Sequence, residues 1–150
     1  MSSTRILQIG QALRDVLKTI ESFKYGYSPD EIPESLPGTP AFVIFLAGVN
    51  YPDNQNTHRM VLTLRLQIFL CRLEQKTKLG NLLKYLEPQG DDSIDNTIRN
   101  NWRLGGKCDW IHIVNNTGLN TLEYQGISYF GTEFEIECIS RFPYLDVQQS

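Results

Sequence analysis

The sequence predicts an α+β protein: a mainly antiparallel sheet with a long β-hairpin, flanked by helices, in the order α-β-β-α-α-β-β-β. Three observations lead there. Apolar residues near the N-terminus recur at three- and four-residue steps, the signature of one helix face. Central and C-terminal runs are continuously apolar or alternate with period two over strand lengths. Successive strands lie close enough in the chain to join as hairpins, which leaves the helices to cover an antiparallel sheet. The chain has 150 residues, room for one hydrophobic core, so residues 1–150 read as a single domain.

Each element has its own reason. Ile6, Ile9, Leu13, Val16, Leu17, Ile20 and Phe23 share a helical face. Ser2, Ser3 or Thr4 can cap its start, and Gly26 lies just past its end. Next comes "YGYSPDEIPESLPGTP", with Pro29, Pro33, Pro37 and Pro40. Proline removes a backbone donor and restricts the residue before it, so residues 28–40 read as an extended surface linker. "AFVIFLAG" (41–48) has the β-branched and aromatic bias of a buried strand. In "MVLTLRLQIFLC" Met60, Leu62, Leu64, Leu66, Ile68 and Leu70 face one way while Thr63, Arg65 and Gln67 face the other. The two strands predict an antiparallel hairpin turning at 49–59. Twelve residues at about 3.3 Å each span roughly 40 Å. That is about the full width of a globule whose radius of gyration is about 15 Å. The hairpin is therefore expected to cross the domain and to reach beyond it.

The stretch "YLEPQGDDSIDNTIRNNWRLGG" (85–106) mixes acids, amides and glycines as a metal or phosphate site would. Folding accounts for it more simply. Leu79, Leu82, Leu83 and Leu86 give a second helix that Pro88 ends. Asp91, Asp92 and Ser93 stand where a third begins, at the positive end of its dipole. Ile94, Ile98 and Trp102 give that helix an apolar stripe, and Gly105-Gly106 stops it. A phosphate loop would need a lysine after its glycines and a strand before them, and neither is in place. Three strands follow: "CDWIHIV", then "TLEYQGISYF" with a bend at Gly126, then "TEFEIECISRF". Residues 143–150 form a tail.

Composition narrows the function. Hydrophobic residues make up 41% and charged residues 21%, an ordinary folded globule. The formal charge is −3 and no lysine–arginine block occurs, which argues against tight DNA binding. No apolar run nears the roughly 20 residues that cross a bilayer, and "MSSTRILQIGQ" lacks the features of a signal peptide. Cys71, Cys108 and Cys138 have no CxxC spacing and read as reduced, intracellular, buried thiols. On that reading the Asn115-Asn116-Thr117 sequon goes unused.

Candidate chemistry is sparse. His58 sits in the predicted hairpin turn and His112 in a strand beside Trp110, with no HExxH or matched ligand set. No GxSxG elbow occurs. The prediction is a protein with no catalytic, cofactor or metal residues. Glu133, Glu135 and Glu137 alternate with Phe134, Ile136 and Cys138 and form an acidic stripe that folding does not explain. It reads either as a solvated face partnered by Arg65 across the sheet, or as a surface kept negative so that DNA passes without sticking.

Two segments resemble one family. "YLEPQGDDSI" followed by "LGG" looks like the helix-to-helix junction of tail terminator (tail completion) proteins of long-tailed bacteriophages. "YQGISYFGTEFEIEC" is similar to that family's closing strands. The resemblance covers Leu82 to Cys138, and the helix-hairpin order before it agrees. It implies a structural virion subunit, made in the bacterial cytoplasm, that closes into a hexameric ring. Such a ring caps the tail tube, ends its growth and joins the tail to the neck. The implied partners are copies of the chain, the tail tube protein and a neck or stopper protein, with DNA passing unbound. Head-to-tail contacts close into rings when their rotation divides the circle, and a lasting contact buries about 800 Å² per partner. The expected contact residues are Pro29, Pro33 and Pro37 in the linker and Tyr51, Asp53, Asn54, His58 and Arg59 around the hairpin turn. Glu133, Glu135 and Glu137 are expected to face the DNA channel. The alternatives are another neck component such as a head-completion or stopper protein, a small hydrolase or nuclease, and a non-viral interaction domain.

Overall fold

The computed structural model describes residues 5–51, 59–74, 80 and 83–141. Helix α1 spans Arg5–Leu17, α2 Leu83–Leu86 and α3 Ile94–Arg99. The strands are β1 Tyr25–Tyr27, β2 Ala41–Asn50, β3 Arg59–Arg72, β4 Trp110–Asn116, β5 Asn120–Tyr124 and β6 Ile127–Arg141. They form one sheet in the order β1-β2-β3-β6-β4, with β5 beside the first part of β6. All pairings are antiparallel except β1 with β2. The α+β class and the antiparallel β2–β3 pair are as the sequence predicts, with one added strand, β1.

Strand β3 shows why the sheet has two distinct faces. Leu62, Leu64, Leu66 and Ile68 point one way and are buried. There they join Phe42 and Ile44 of β2, Phe134, Ile136 and Cys138 of β6, and Ile111 of β4. Ile9, Leu13 and Leu17 of α1, Tyr85 of α2, and Ile94 and Ile98 of α3 close the same core from above. At about 25 cal/mol per Å² of apolar area, this cluster is the main source of the fold's stability.

Several boundaries differ from expectation. Helix α1 stops at Leu17 rather than near Phe23, because Thr19 Oγ1 donates to the Val16 carbonyl (2.6 Å) and short turns take over. Ile20 stays buried, while Phe23 swings onto the Phe42 ring (4.9 Å) and stacks on Tyr85 (4.8 Å). The chain then enters β1, where Gly26 lies beneath the Phe42 ring. A Cβ there would sit 2.2 Å from Phe42 Cζ. In α2 it is Tyr85 that is buried, whereas Leu83 is exposed. Leu79 and Leu82 lie outside the described residues.

The start of α3 matches its prediction. Ser93 is the N-cap, accepting from the Asn96 N–H (3.0 Å). Its end does not. The helix stops at Arg99, so Trp102 leaves the apolar stripe and is exposed. At the C-terminus the second and third predicted strands divide at Gln125-Gly126, both at positive φ, which makes a two-residue hairpin instead of a bend. From there β6 runs unbroken through Gly131. A Cβ at Gly131 would lie 2.0 Å from the Ile68 carbonyl oxygen, so only glycine lets β3 and β6 close here.

The proline segment runs along the surface as a strap fastened at several points. Pro29 packs against Gly10 of α1 on the helical side of the sheet. Gln11 donates to Asp30 (3.2 Å) on the same side, and Arg14 pairs with Glu31. The Pro33 carbonyl accepts from the Tyr124 hydroxyl, and Leu36 is buried against the opposite face. Lys24 N–H to Pro40 O (2.9 Å) ties the two ends together. Ser28 and Leu36 are buried because the strap folds around the sheet edge.

Candidate interaction surface

The face of the sheet away from the helices is built in two halves. Near β5 it carries a second apolar cluster of Leu36, Ala41, Val43, Phe69, Tyr124 and Tyr129. The Phe69 ring meets Tyr124 (5.5 Å) and Tyr129 (5.4 Å) edge to face. Burial pushes the Tyr124 hydroxyl pKa above its ordinary value, so it stays a donor to the strap. The other half has no such cover among the described residues.

That open half holds the acidic stripe. Glu133, Glu135 and Glu137 stand opposite Gln67, Arg65 and Thr63 of β3. Gln67 Nε2 donates to Glu133 Oε1 (2.8 Å), and Arg65 lies in direct register with Glu135. His112 of β4 faces Glu137, with Nε2 3.8 Å from Oε1, and its ring stacks on Trp110 at 4.7 Å. His112 Nδ1 is buried without a hydrogen-bond partner among the described residues. Trp110 and Val114 continue this face outward, each 48% exposed.

Among the described residues, the sheet also has two edges without a strand partner. Strand β1 covers β2 only at residues 41–43, so residues 44–50 have no strand on their outer side among the described residues. Leu46 is exposed there. At the opposite end, β4 pairs with β6 alone among the described strands, and the Ile111 N–H donates to the Trp102 carbonyl (2.8 Å). Such edges offer free donors and acceptors to another strand.

The expected contact residues fall in different places. Tyr51, at the end of β2, is 73% exposed, and Arg59 is exposed opposite Arg141. Asp53, Asn54 and His58 lie outside the described residues. Strand β3 is paired with β6 from Arg59 to Arg72, so the described part of the hairpin sits at the middle of the sheet. Pro29 and Pro33 are engaged within the subunit, while Pro37 is exposed beside Arg72 and Glu74.

Two features were not anticipated. After α3 the chain forms a knuckle at residues 99–107, made by three successive left-handed residues, Leu104 (φ 49°), Gly105 (65°) and Gly106 (89°). For leucine that conformation costs roughly 1 kcal/mol, offset by burying its side chain in the main core. The knuckle presents Trp102, 49% exposed, with the Arg103 guanidinium 5.6 Å over its ring. The early stop at Asn100-Asn101 was the sequence signal that Trp102 would face outward. The second feature is an open hollow of about 570 Å³ lined by Thr19, Glu21, Ser22, Asp91 and Asp92. Asp92 accepts from Ser22 Oγ (2.7 Å), which also bonds the Tyr85 hydroxyl (2.8 Å), and Lys84 lies 3.8 Å away. Asp92 thus fastens α2 to the turn after α1 instead of capping α3.

All three cysteines are buried, and none forms a disulfide. The Cys138 thiol bonds Cys108, and that bond with burial keeps Cys138 protonated far above the usual thiol range. Among the described residues no group of three or more His, Cys, Asp or Glu side chains could hold a metal ion. No described helix is long and apolar enough to cross a membrane. No protein-family model matches the chain, and no curated protein matches it.

Proposed function

We propose that this chain is a structural subunit of the tail-terminator kind, one that works by joining copies of itself into a ring. In that reading the ring, of six subunits, caps a tail tube, ends its elongation and connects it to the neck. One observation supports the self-assembly: strand edges with no strand partner among the described residues at opposite ends of the same sheet, residues 44–50 on β2 and 110–116 on β4. A β4 edge meeting a neighbour's β2 edge is a head-to-tail contact, which repeats until it closes. The acidic half-face then forms the inner wall, where Glu133, Glu135 and Glu137 let DNA pass without adhering. The hairpin turn at 49–59 and the exposed part of the strap reach the tube or the neighbouring subunit. The resemblance of residues 82–138 to tail terminators supports the tail setting.

Edge charges test the assembly. Leu46→Lys and Val114→Lys place a cation on each edge, the device by which sheets resist adding strands. Either variant is expected to keep the melting temperature of the parent and to lose rings in negative-stain images of protein mixed with tail tubes. Rings at parental abundance would refute the proposal. For the biological role, particles made without this protein should carry overlong tails. Tails of normal length left apart from their heads would instead identify another neck component.

A further inference from the structure

Two thiols meet beneath the knuckle. Cys108 stands just before β4, and Cys138 lies on β6 in register with Ile111. The Asp109 N–H donates to the Ile139 carbonyl (2.9 Å), which carries the bonding between the two strands up to the residue after Cys108. Both side chains belong to the main core, and the Cys138 thiol donates to the Cys108 sulfur. Any small side chain would fill either position, so sulfur against sulfur adds a chemistry that packing does not use. The third thiol is remote. Cys71 is on β3, nine residues beyond Leu62, the residue opposite Cys138, and therefore about 30 Å away along the strand. An internal disulfide has one pairing open to it.

The pair is asymmetric. The bond from Cys138 draws the Cys108 thiol below its ordinary pKa against the opposing effect of burial, while Cys138 is held protonated. Cys108 also sits at the foot of the exposed turn Gly105-Gly106-Lys107, whereas Cys138 is enclosed in the middle of the sheet. Cys108 is therefore the sulfur that a small oxidant meets first, and as thiolate.

We propose that Cys108 and Cys138 are a redox pair, which a peroxide converts to a disulfide that staples the start of β4 to β6. The Cys108 thiolate attacks one peroxide oxygen, the O–O bond breaks, and hydroxide leaves to take up the proton that Cys108 gave up. Cys108 is then a sulfenic acid. The Cys138 sulfur attacks the Cys108 sulfur, the S–O bond breaks, and the departing hydroxide takes the Cys138 proton. Two thiols thus lose two electrons and two hydrogens, and one peroxide becomes two waters. The staple closes residues 108–138 into a loop and fixes β4 to the strand it pairs with. It does not depend on the ring reading.

Folded full-length protein treated with hydrogen peroxide, then denatured and alkylated with iodoacetamide, reads the pair by mass spectrometry. Untreated protein should take up label at all three cysteines, and treated protein at Cys71 alone. A non-reducing digest should yield one peptide pair joined through Cys108 and Cys138. The melting temperature should rise by about 5–10 °C on treatment, as expected for closing a loop of this length, and return with dithiothreitol. Cys71→Ala should keep the shift, while Cys108→Ala and Cys138→Ala should each lose it. Full labelling after treatment, a disulfide to Cys71, or a sulfinic acid on Cys108 without a cross-link overturns the proposal. So does a reversible rise in melting temperature in Cys108→Ala. The labelling of the parent chain decides the question even where a core variant folds poorly.

Discussion

Along β3, Leu62, Leu64 and Leu66 are sealed beneath three helices, while Thr63 and Arg65, their neighbours in the chain, lie on a face with no helix over it among the described residues. The same alternation of the same strand serves two purposes. The inner face takes its stability from area removed from water, which is large per residue and indifferent to direction. The outer face splits again. Its β5 half is closed by Leu36 and a ring of aromatics, and its β4 half is left to carboxylates, an arginine, a histidine and an exposed tryptophan. A protein that needed only to fold could cover both halves alike. One half is closed by aromatics and the other, among the described residues, is left polar, and that difference is what the proposed assembly builds on.

The contrast can be broken or sharpened by substitution. Leu66→Ala opens a cavity in the inner core and should cost about 2–5 kcal/mol in chemical denaturation. A cost under about 1 kcal/mol would mean the inner face is not the main store of stability. Leu36→Ala removes the strap's one buried leucine and should cost about 2 kcal/mol, less than Leu66→Ala because the strap can partly collapse into the gap. It should also raise proteolysis within residues 28–40. Arg65→Ala, on the open half, should change stability by less than about 1 kcal/mol, since exposed pairs contribute little. A larger loss would show that the acidic stripe is part of the fold rather than a free surface.

The smallest expected effect concerns pH at the strap. Ser28 Oγ donates to Asp30 Oδ1 (2.6 Å), and this bond is the leading reason the Asp30 carboxyl titrates below its ordinary 3.8. A lowered carboxyl stabilises the folded state fully above its ordinary value. That contribution shrinks as pH falls past 3.8 toward the lowered pKa. Ser28→Ala should therefore flatten the acid limb of the parent's stability curve slightly, as read by melting temperature between neutral pH and pH 3. An unchanged limb would remove Asp30 from the acid response.

How much of this could be read in advance depended on how local the cause was. The alternation in β3 and β6 is written residue by residue, so both strands and their buried faces were legible, as was the Ser93 cap. Strand β1 was not, because Tyr25-Gly26-Tyr27 becomes a strand only by meeting Ala41–Val43 from across the strap. Leu36 carries no periodic signal, and its burial comes from Tyr124 and Tyr129, far along the chain. Gly131 looked like punctuation between strands, yet its role is to let β6 pass close to Ile68 without interruption. The open surfaces were the hardest to foresee. Alternation marks the side of a strand turned away from the core, but whether another segment then covers it depends on the whole topology.

The pairing of β3 with β6 joins residues 82 positions apart at Arg59–Arg141 and 57 apart at Arg72–Tyr129. Closing so long a loop is entropically expensive and slow, and nothing compensates until the final strand arrives. A nascent chain on the ribosome therefore cannot complete its central ladder until residues near 141 have emerged. Partly synthesised subunits lack the strand against which β4 aligns, so the β4 side of the sheet can form only after β6 has been made, whereas the β2–β3 hairpin can pair before it.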